Sequence, residues 1–417
     1  VDNLIGGGGI DTASYALAAA GVDIRLNGGT ARNDGDGATD TLSGIENLTG
    51  SAFADVLIGD ALNNVLSGGA ARDTLLGLDG DDTLIGGDGE GNEMQGGTGD
   101  DLYVVSSTGD TVVEFAGEGT DTVQTSLSQH RLRADLENLT YTGTTAFEGV
   151  GNASDNVITG GTARDALLGL SGNDTLAGGS GAANEMYGGA GDDRYIVSAA
   201  GDTIIENAGE GADTVETSIG NHLLRTHVEN LIYTGVGNFT GQGNASDNVI
   251  TGGVGDDTLT GAGGNDTLNG GGGQDMAQMS GLQSDYSIVA LGGGSYRITD
   301  NVAGRDGVDT LGGIEQLRFS NGSVLTLGAA AAPALTAKAA DGFLVLPDLM
   351  DDEFIADGGV EARLPTPTDA GLDGFDGLSG SMVADDGFML TLAEDGRVAD
   401  HDAADHGAAW SYDGWAL

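Results

Sequence analysis

The chain has 417 residues, of which 65 are acidic and 14 basic, for a formal net charge of -51 at pH 7. Nucleic acids and anionic membranes attract Lys and Arg, so this excess argues against both as partners, and it predicts self-repulsion unless cations offset the charge. With 39% hydrophobic residues, 78 Gly and no Cys, a large conventional core and disulfides are excluded, and no apolar run is long enough to cross a bilayer.

Residues 1–58 form the first predicted segment. Val1 to Ile5, followed by Gly6 and Gly7, fit the second half of a nine-residue unit that recurs along the chain. We therefore expect an open coil edge here, covered either by an upstream part of the same protein or by another subunit. Because such an edge offers free backbone groups to a further strand, we predict a homo-oligomer or a filament.

The nine-residue unit is clearest from residue 50 onward. Gly50, Gly59 and Gly68 open successive blocks that fit G-G-x-G-x-D-x-U-x, where U is a large apolar residue. The same register returns from Gly151 and from Gly243. The fourteen residues that we assign to the D position are Asp55, Asn64, Asp73, Asp82, Asp101, Asn156, Asp165, Asp174, Asn184, Asp193, Asn248, Asp257, Asp266 and Asp275.

In this pattern the chain resembles the RTX (hemolysin-type) calcium-binding repeat proteins. The glycines allow the positive φ angles of tight turns, and x-U-x is a short strand with one side chain inward. Two blocks then make one flattened coil, and coils stack by parallel hydrogen bonding about 4.8 Å apart. The predicted fold class is all-β, a parallel β-roll (β-helix solenoid) of nonapeptide calcium repeats with a small C-terminal tail domain.

Each Asp turn is expected to face the turn about eighteen residues further on. Ca²⁺ takes six to eight oxygens, backbone carbonyls included, so we predict multiple Ca²⁺ ions between stacked turns, held by the fourteen residues. An Asn lowers the charge of its site and is expected to weaken it. The candidate pairs are Asp55 with Asp73, Asn64 with Asp82, Asp165 with Asn184, Asp174 with Asp193, Asn248 with Asp266, and Asp257 with Asp275.

A longer period is superimposed on the nine. Residues 151–242 repeat 59–150 at an offset of 92 residues, and 243–280 are a partial third copy. Each long repeat contains nonapeptides and an insert, through which the solenoid is expected to continue. An E-x-L element also recurs, and we interpret it as a strand that closes a section of roll. Its inward residues are predicted to be Leu48, Leu139, Leu231 and Leu317.

The C-terminal third contains three predicted segments. Residues 281–327 are similar to the segments that flank the roll in serralysin-type secreted proteins, which implies a β cap. Residues 328–340 are an Ala-rich linker, helical or extended. Residues 341–417 are acidic and repeat-free, like the uncleaved type I secretion signal of RTX proteins. The alternative is that this tail is a small separate domain.

No motif supports catalysis. The chain has neither the H-E-x-x-H zinc helix of the serralysins nor a G-x-S-x-G elbow, so we expect a protein that is not an enzyme. The resemblance implies a protein exported by the type I secretion machinery of a Gram-negative bacterium, extracellular or at the cell surface. We predict an extracellular scaffold such as a surface layer, filament or matrix. The alternative is the calcium-dependent folding and secretion module of a larger enzyme or toxin, and an adhesin or ice-binding section ranks third.

Overall fold

A computed structural model describes residues 1–328 except 90 and 182, together with the backbone of five short strands between residues 338 and 400. The chain divides into two compact units, Val1–Ala329 and Ala330–Leu417. The first unit is a parallel β-solenoid, as the sequence predicts. Its described residues contain no α-helix, and two short 3-10 helices occur at Leu26–Gly28 and Gln283–Asp285.

Each nonapeptide forms one short strand, and successive strands alternate between the two faces of the coil. Val56–Ile58 lies on one face, Val65–Ser67 on the other, and Thr74–Asp79 returns to the first, where it pairs in parallel with Val56–Ile58. The central apolar residue of each strand points inward. Leu57 and Leu66 are fully buried, so the core is a thin double column of apolar side chains.

One face is a single sheet of 17 strands that runs the length of the roll. Its strands are parallel from the first until the cap, where the last two are antiparallel. In sheet order they are Thr12–Ser14, Asn47–Thr49, Val65–Ser67, Thr83–Ile85, Leu102–Val105, Thr122–Thr125, Asn138–Tyr141, Val157–Thr159, Thr175–Ala177, Arg194–Val197, Thr214–Thr217, Asn230–Tyr233, Val249–Thr251, Thr267–Asn269, Val308–Gly312, Ser295–Asp300 and Tyr286–Gly292.

The other face is divided into three sheets of eight, five and six strands. The first contains Asn3–Ile5, Asp40–Ser43, Thr30–Asn33, Asp23–Arg25, Val56–Ile58, Thr74–Asp79, Glu93–Thr98 and Thr111–Val112. The second contains Gln129–Arg131, Glu148–Val150, Ala166–Ser171, Glu185–Ala190 and Thr203–Ile204. The third contains Asn221–Leu223, Thr240–Gln242, Thr258–Thr260, Met276–Gln278, Gln316–Arg318 and Val324–Thr326.

The strands repeat at the 92-residue offset seen in the sequence. Thr74–Asp79 corresponds to Ala166–Ser171, and Thr111–Val112 corresponds to Thr203–Ile204. The breaks in the divided face therefore fall at the same place in both long repeats. The boundaries of the sequence domains themselves stay predictions.

Three of the four E-x-L elements have a different role from the one that we predicted. Leu48, Leu139, Leu231 and Leu317 do point inward and are buried. However, the strands of the first three do not close sections of roll, because each pairs in parallel with strands on both of its sides. The physical reason is that the Glu of each of these elements replaces the Asp of a nonapeptide, so that stacking continues through it. The strand of Leu317 is the last parallel strand on its face and pairs with an antiparallel strand.

The solenoid ends in antiparallel strands on both faces. On the long sheet, Tyr286–Gly292 and Ser295–Asp300 form a hairpin that pairs with Val308–Gly312. On the divided face, Val324–Thr326 pairs antiparallel with Gln316–Arg318. Tyr296 and Ile298 of this hairpin bury their side chains, and the hairpin covers the last apolar residues of the column.

In the second unit, Lys338–Ala340 pairs antiparallel with Phe343–Val345. Gly380–Val383, Met389–Leu392 and Val398–Asp400 form a three-stranded antiparallel sheet. The remainder of the linker and of the tail predicted at 341–417 lies outside the described residues. Within the described part of the chain, no helix has the length and apolar character needed to cross a membrane.

Candidate calcium-binding turns

The fourteen predicted ligands all lie inside the turns at the edges of the roll. None is more than 2% exposed. Burial of an acidic side chain without compensation is costly, so the contacts of each carboxylate decide what the turns can hold.

Stacked turns are joined by a hydrogen bond from backbone to side chain. The N–H of Asp55 donates to Oδ1 of Asp73 at 2.8 Å, one coil further along. The same bond, at 2.7–2.9 Å, joins the two members of every predicted pair. The nine-residue register of the sequence therefore predicts which turns are stacked on each other.

The second carboxylate oxygen separates the fourteen residues into two groups. In seven aspartates Oδ2 is buried and has no hydrogen-bond partner among the residues that the structure describes. An unpartnered buried carboxylate oxygen costs free energy in the folded state unless a cation or a proton reaches it. These seven are Asp73, Asp82, Asp101, Asp174, Asp193, Asp266 and Asp275.

Each unpartnered oxygen lies beside the glycine that opens its nonapeptide. A Cβ on Gly77 would lie 2.0 Å from Oδ2 of Asp82 and 2.6 Å from the backbone oxygen of Gly96 in the next coil. A Cβ on Gly169 would meet Asp174 and Gly188 in the same way, at 2.2 and 2.7 Å. Only glycine fits here, and the space is bounded by carboxylate and carbonyl oxygens, which are the ligands that Ca²⁺ prefers.

The other seven residues have their polar atoms hydrogen-bonded within the protein. In Asp165, Oδ1 accepts the N–H of Phe147 at 2.8 Å and Oδ2 accepts the N–H of Gly161 at 2.6 Å. Asn64 accepts the N–H of Asp60 and donates to the carbonyl oxygen of Glu46, both at 2.8 Å. The set consists of Asp55, Asn64, Asn156, Asp165, Asn184, Asn248 and Asp257.

Three of the asparagines follow a Glu of an E-x-L element by one coil. Asn64, Asn156 and Asn248 each donate to a backbone carbonyl at or next to that Glu, at 2.8–3.2 Å. An Asp cannot make this bond because its carboxylate has no N–H donor. The Asn side chain therefore holds the coil that follows the E-x-L element. We had expected Asn only to lower the charge of its site.

Burial controls the protonation of the unpartnered carboxylates. It raises the pKa of Asp73, Asp82, Asp101 and Asp174 to about 7, although a backbone N–H bonded to each one acts in the opposite direction. Charges on neighbouring aspartates raise these pKa values further. A cation between the turns would favour the charged form, so protons and cations compete for the same oxygens.

The nonapeptide motif missed several members of the turns. Asp121 and Asp213 accept the N–H groups of Asp101 and Asp193, both at 2.8 Å. The glutamates of the E-x-L elements continue the same series through Oε2, at 2.8–2.9 Å, and are Glu46, Glu137, Glu229 and Glu315. The recurrence of Glu directly before Asn-Leu or Gln-Leu was the available signal in the sequence, but Glu is longer than the Asp of the motif and the coil before Glu137 and Glu229 has only sixteen residues.

Two further buried carboxylates have no place in the nonapeptide pattern. Glu114 and Glu206 lie near the breaks in the divided face, at equivalent positions of the two long repeats. Burial and neighbouring acidic groups raise the pKa of Glu114 to about 9 and that of Glu206 to about 8, although a hydrogen bond from Tyr195 lowers the latter.

Comparison with known proteins agrees with this geometry. Residues 40–61, 58–92, 150–183 and 242–277 match the family profile described as RTX calcium-binding nonapeptide repeat (4 copies). The chain contains RTX calcium-binding repeats. The matched segments include all but three of the fourteen predicted ligands. Those outside are Asp101, Asn184 and Asp193.

Two individual proteins were aligned with parts of this chain. The endo-1,3-1,4-beta-glycanase ExsH of Rhizobium meliloti (strain 1021) is 48% identical over 69 residues, which make up 16% of this chain and 14% of that protein. The crystal structure of extracellular lipase LipA from Serratia marcescens is aligned at 18% identity over 62% of this chain and 38% of that chain, with a TM-score of 0.14. The match with the glycanase therefore spans only 14% of that protein's length.

Proposed function

We propose that this chain is a secreted β-roll that folds when its turns bind several Ca²⁺ ions. The observation that carries the proposal is the series of seven buried Oδ2 atoms without hydrogen-bond partners, each beside a glycine of its own turn. A hard divalent cation satisfies these oxygens and offsets the repulsion between them. The aspartates with an unpartnered oxygen are the anionic ligands in this proposal, and the hydrogen-bonded residues hold the turns in register.

The free energy of calcium binding makes folding depend on location. A site with a Kd of about 10⁻⁴ M stabilises the folded chain by about 1.4 kcal/mol at roughly 1 mM Ca²⁺. Several such sites act together in one solenoid, whereas submicromolar Ca²⁺ inside a cell contributes almost nothing. The chain would then remain unfolded for export by type I machinery and would fold outside the cell.

Within this proposal the folded chain acts as a non-enzymatic extracellular scaffold. Support comes from the uninterrupted sheet of 17 strands, which gives a long stiff element, and from the excess of 65 acidic over 14 basic residues, which allows Ca²⁺ to link neighbouring molecules. Apolar side chains of the tail, Phe343, Leu344, Phe388, Trp410 and Trp415, are proposed anchors for another subunit. Their side chains lie outside the described residues.

A second candidate function is a calcium-dependent folding and secretion module of a larger enzyme. The specific observation in its favour is the match at 48% identity to a short part of a glycanase. In that case, the catalytic domain would be a separate part of the same polypeptide. The intact mass of the natural protein, together with the sequence upstream of Val1, distinguishes this candidate from the scaffold.

Circular dichroism during removal of Ca²⁺ with EDTA tests the folding proposal. We expect the β-sheet signal to disappear and to return when millimolar Ca²⁺ is restored, and an unchanged spectrum would refute calcium-dependent folding. Light scattering and electron microscopy in Ca²⁺, with and without residues 341–417, test the scaffold. Assembly that depends on the tail supports it, and full-length protein that stays monomeric eliminates it in favour of the module.

A further inference from the structure

Two buried glutamates occupy a position that nonapeptide coils reserve for glycine. Thr111 and Val112 pair with Glu93 and Met94, and the N–H of Val113 donates to the carbonyl oxygen of Met94 at 2.9 Å. The next residue, Glu114, therefore follows Gly96 in the stack. The same pairing in the second long repeat aligns Glu206 with Gly188.

A side chain at this position must enter the space where the carboxylates lie. In the preceding coils this is impossible, because a Cβ on Gly96 would lie 1.8 Å from Oδ2 of Asp101. The coil between Asp101 and Asp121 contains 20 residues, whereas the one between Asp82 and Asp101 contains 19. The strand on the divided face also ends at Val112. The longer, looser coil provides the room for a glutamate.

Glu114 completes a cluster of three carboxylates. One oxygen each from Asp101, Glu114 and Asp121 lies within 4.8 Å of the other two. Glu114 is 9% exposed, and neither of its carboxylate oxygens has a hydrogen-bond partner in the described structure. Oδ2 of Asp101 is also unpartnered, so two of the three residues in the cluster have buried oxygens without a hydrogen-bond partner.

The cluster recurs 92 residues later with a small difference. Asp193, Glu206 and Asp213 are all buried, and one carboxylate oxygen of each lies within 4.8 Å of the other two. Here Oδ2 of both aspartates and Oε2 of Glu206 are unpartnered. The hydroxyl of Tyr195 donates to Oε1 of Glu206, which orients the glutamate toward the aspartates.

Basic side chains do not neutralise either cluster. Among the described residues, none of the ion pairs within 4.0 Å involves any of the six carboxylates. Arg131 and Arg133 line the same groove as Glu114, but neither forms an ion pair with it. Three charged carboxylates at this separation, buried and without a counterion, repel one another strongly, so the geometry calls for a bound cation.

We propose that Glu114 and Glu206 each complete a three-carboxylate Ca²⁺ site, in which the glutamate joins the turn aspartates Asp101 and Asp121 or Asp193 and Asp213. The inference rests on the proposed calcium-dependent folding and adds a second class of site to it. Ligands at about 2.3–2.6 Å from Ca²⁺ lie up to roughly 5 Å apart, and the oxygens of each cluster lie close enough together for one ion to reach all three. The all-oxygen donor set disfavours Zn²⁺, which prefers nitrogen and sulfur. A third carboxylate raises the affinity above that of an ordinary turn.

The full-length double variant Glu114→Gln, Glu206→Gln tests the proposal. Glutamine has nearly the same size as glutamate but lacks the charge. The matched control is Glu93→Gln, Glu148→Gln, which removes two charges from exposed side chains on the same face of the roll. Bound Ca²⁺ per chain is counted by equilibrium dialysis, and Tb³⁺ luminescence sensitised by tyrosine reports on the clusters, since the Tyr195 hydroxyl contacts Glu206.

We expect the double variant to lose the two tightest Ca²⁺ ions per chain and most of its sensitised Tb³⁺ emission, while the control keeps both. If the double variant fails to fold in Ca²⁺, the single variant Glu114→Gln should lose one ion. An unchanged ion count in a folded variant overturns the inference and leaves two buried, protonated glutamates. Failure of the wild-type chain to bind Ca²⁺ would instead refute the proposed function itself.

Discussion

Replacement of Asp73 by Asn separates the two roles of a turn aspartate. Oδ1 of Asp73 accepts the N–H of Asp55 at 2.8 Å, and Oδ2 is buried without a partner. Asn keeps the acceptor and removes only the charge, whereas Ala removes both. We therefore expect Asp73→Asn to weaken calcium binding while leaving the hydrogen bond between coils intact, and Asp73→Ala to damage both.

The size of the effect follows from the cooperativity of the roll. Loss of one charged ligand costs about 1.5–3 kcal/mol. If each of the seven aspartates with an unpartnered oxygen marks one ion of a cooperative transition, this cost is shared among about seven ions, and the calcium midpoint of folding rises by roughly 1.5- to 2-fold. Ala also leaves the N–H of Asp55 unpaired, which costs about 1–3 kcal/mol more and takes the midpoint to roughly 2- to 4-fold above wild type.

The assay is a Ca²⁺ titration of the unfolded chain followed by circular dichroism. Asp88→Asn is the matched control because Asp88 is an exposed aspartate near the same turns, and Asp352→Ala in the tail is a second control. The Ca²⁺ midpoint of folding is expected to be highest for Asp73→Ala and lower for Asp73→Asn, and both controls should have the wild-type value. Equal midpoints for Asp73→Asn and Asp88→Asn would show that the unpartnered oxygens do not bind calcium.

Three other properties can be measured with the same preparation. Burial raises the pKa of Asp73 and Asp174 in the folded chain to about 7. Without Ca²⁺, protonation of these two aspartates therefore stabilises the fold fully below about pH 4, and this stability is lost as the pH rises through about 7. Circular dichroism of the metal-free protein should show more β-structure at pH 5 than at pH 8. Leu78 has a φ of 95° in register with Gly97, so Leu78→Gly should relieve strain and stabilise the Ca²⁺-saturated roll by about 1 kcal/mol in urea unfolding, and a loss of stability would contradict this. Leu75 is fully buried, so Leu75→Ala should cost about 2–5 kcal/mol in the same urea assay, against less than about 0.5 kcal/mol for the exposed Leu62→Ala.

The sequence was sufficient to predict the stacked turns because one short motif determines both the turn and its neighbour. A glycine beside a carboxylate, repeated every nine residues, fixed which aspartates meet, and all six pairs are in contact through hydrogen bonds. Inward Leu57 and Leu66 followed from the same register. The calcium-ligand role of each residue stays a prediction.

Other features depended on contacts that no local pattern records. The sequence treats Asp165 and Asp174 alike, yet only Asp174 has an unpartnered oxygen, because the N–H of Gly161 reaches Asp165. The sequence did not indicate a role for Glu114, because that role depends on its stacking on Gly96, eighteen residues earlier in the chain. The coils vary from sixteen to twenty residues in length, so the position on which Glu114 stacks is known only once the strands have been paired.

The 92-residue offset has a consequence for how such a chain can change its length. From Asn64 the continuous series of turns passes through Asp82, Asp101, Asp121 and Glu137 and arrives at Asn156, five coils later, in an equivalent position. One long repeat therefore presents the same residues at both of its ends. A gene that gained or lost a whole unit would produce a longer or shorter roll in which every junction is still a native junction, whereas gain or loss of a length that is not a whole number of coils would bring unmatched turns together.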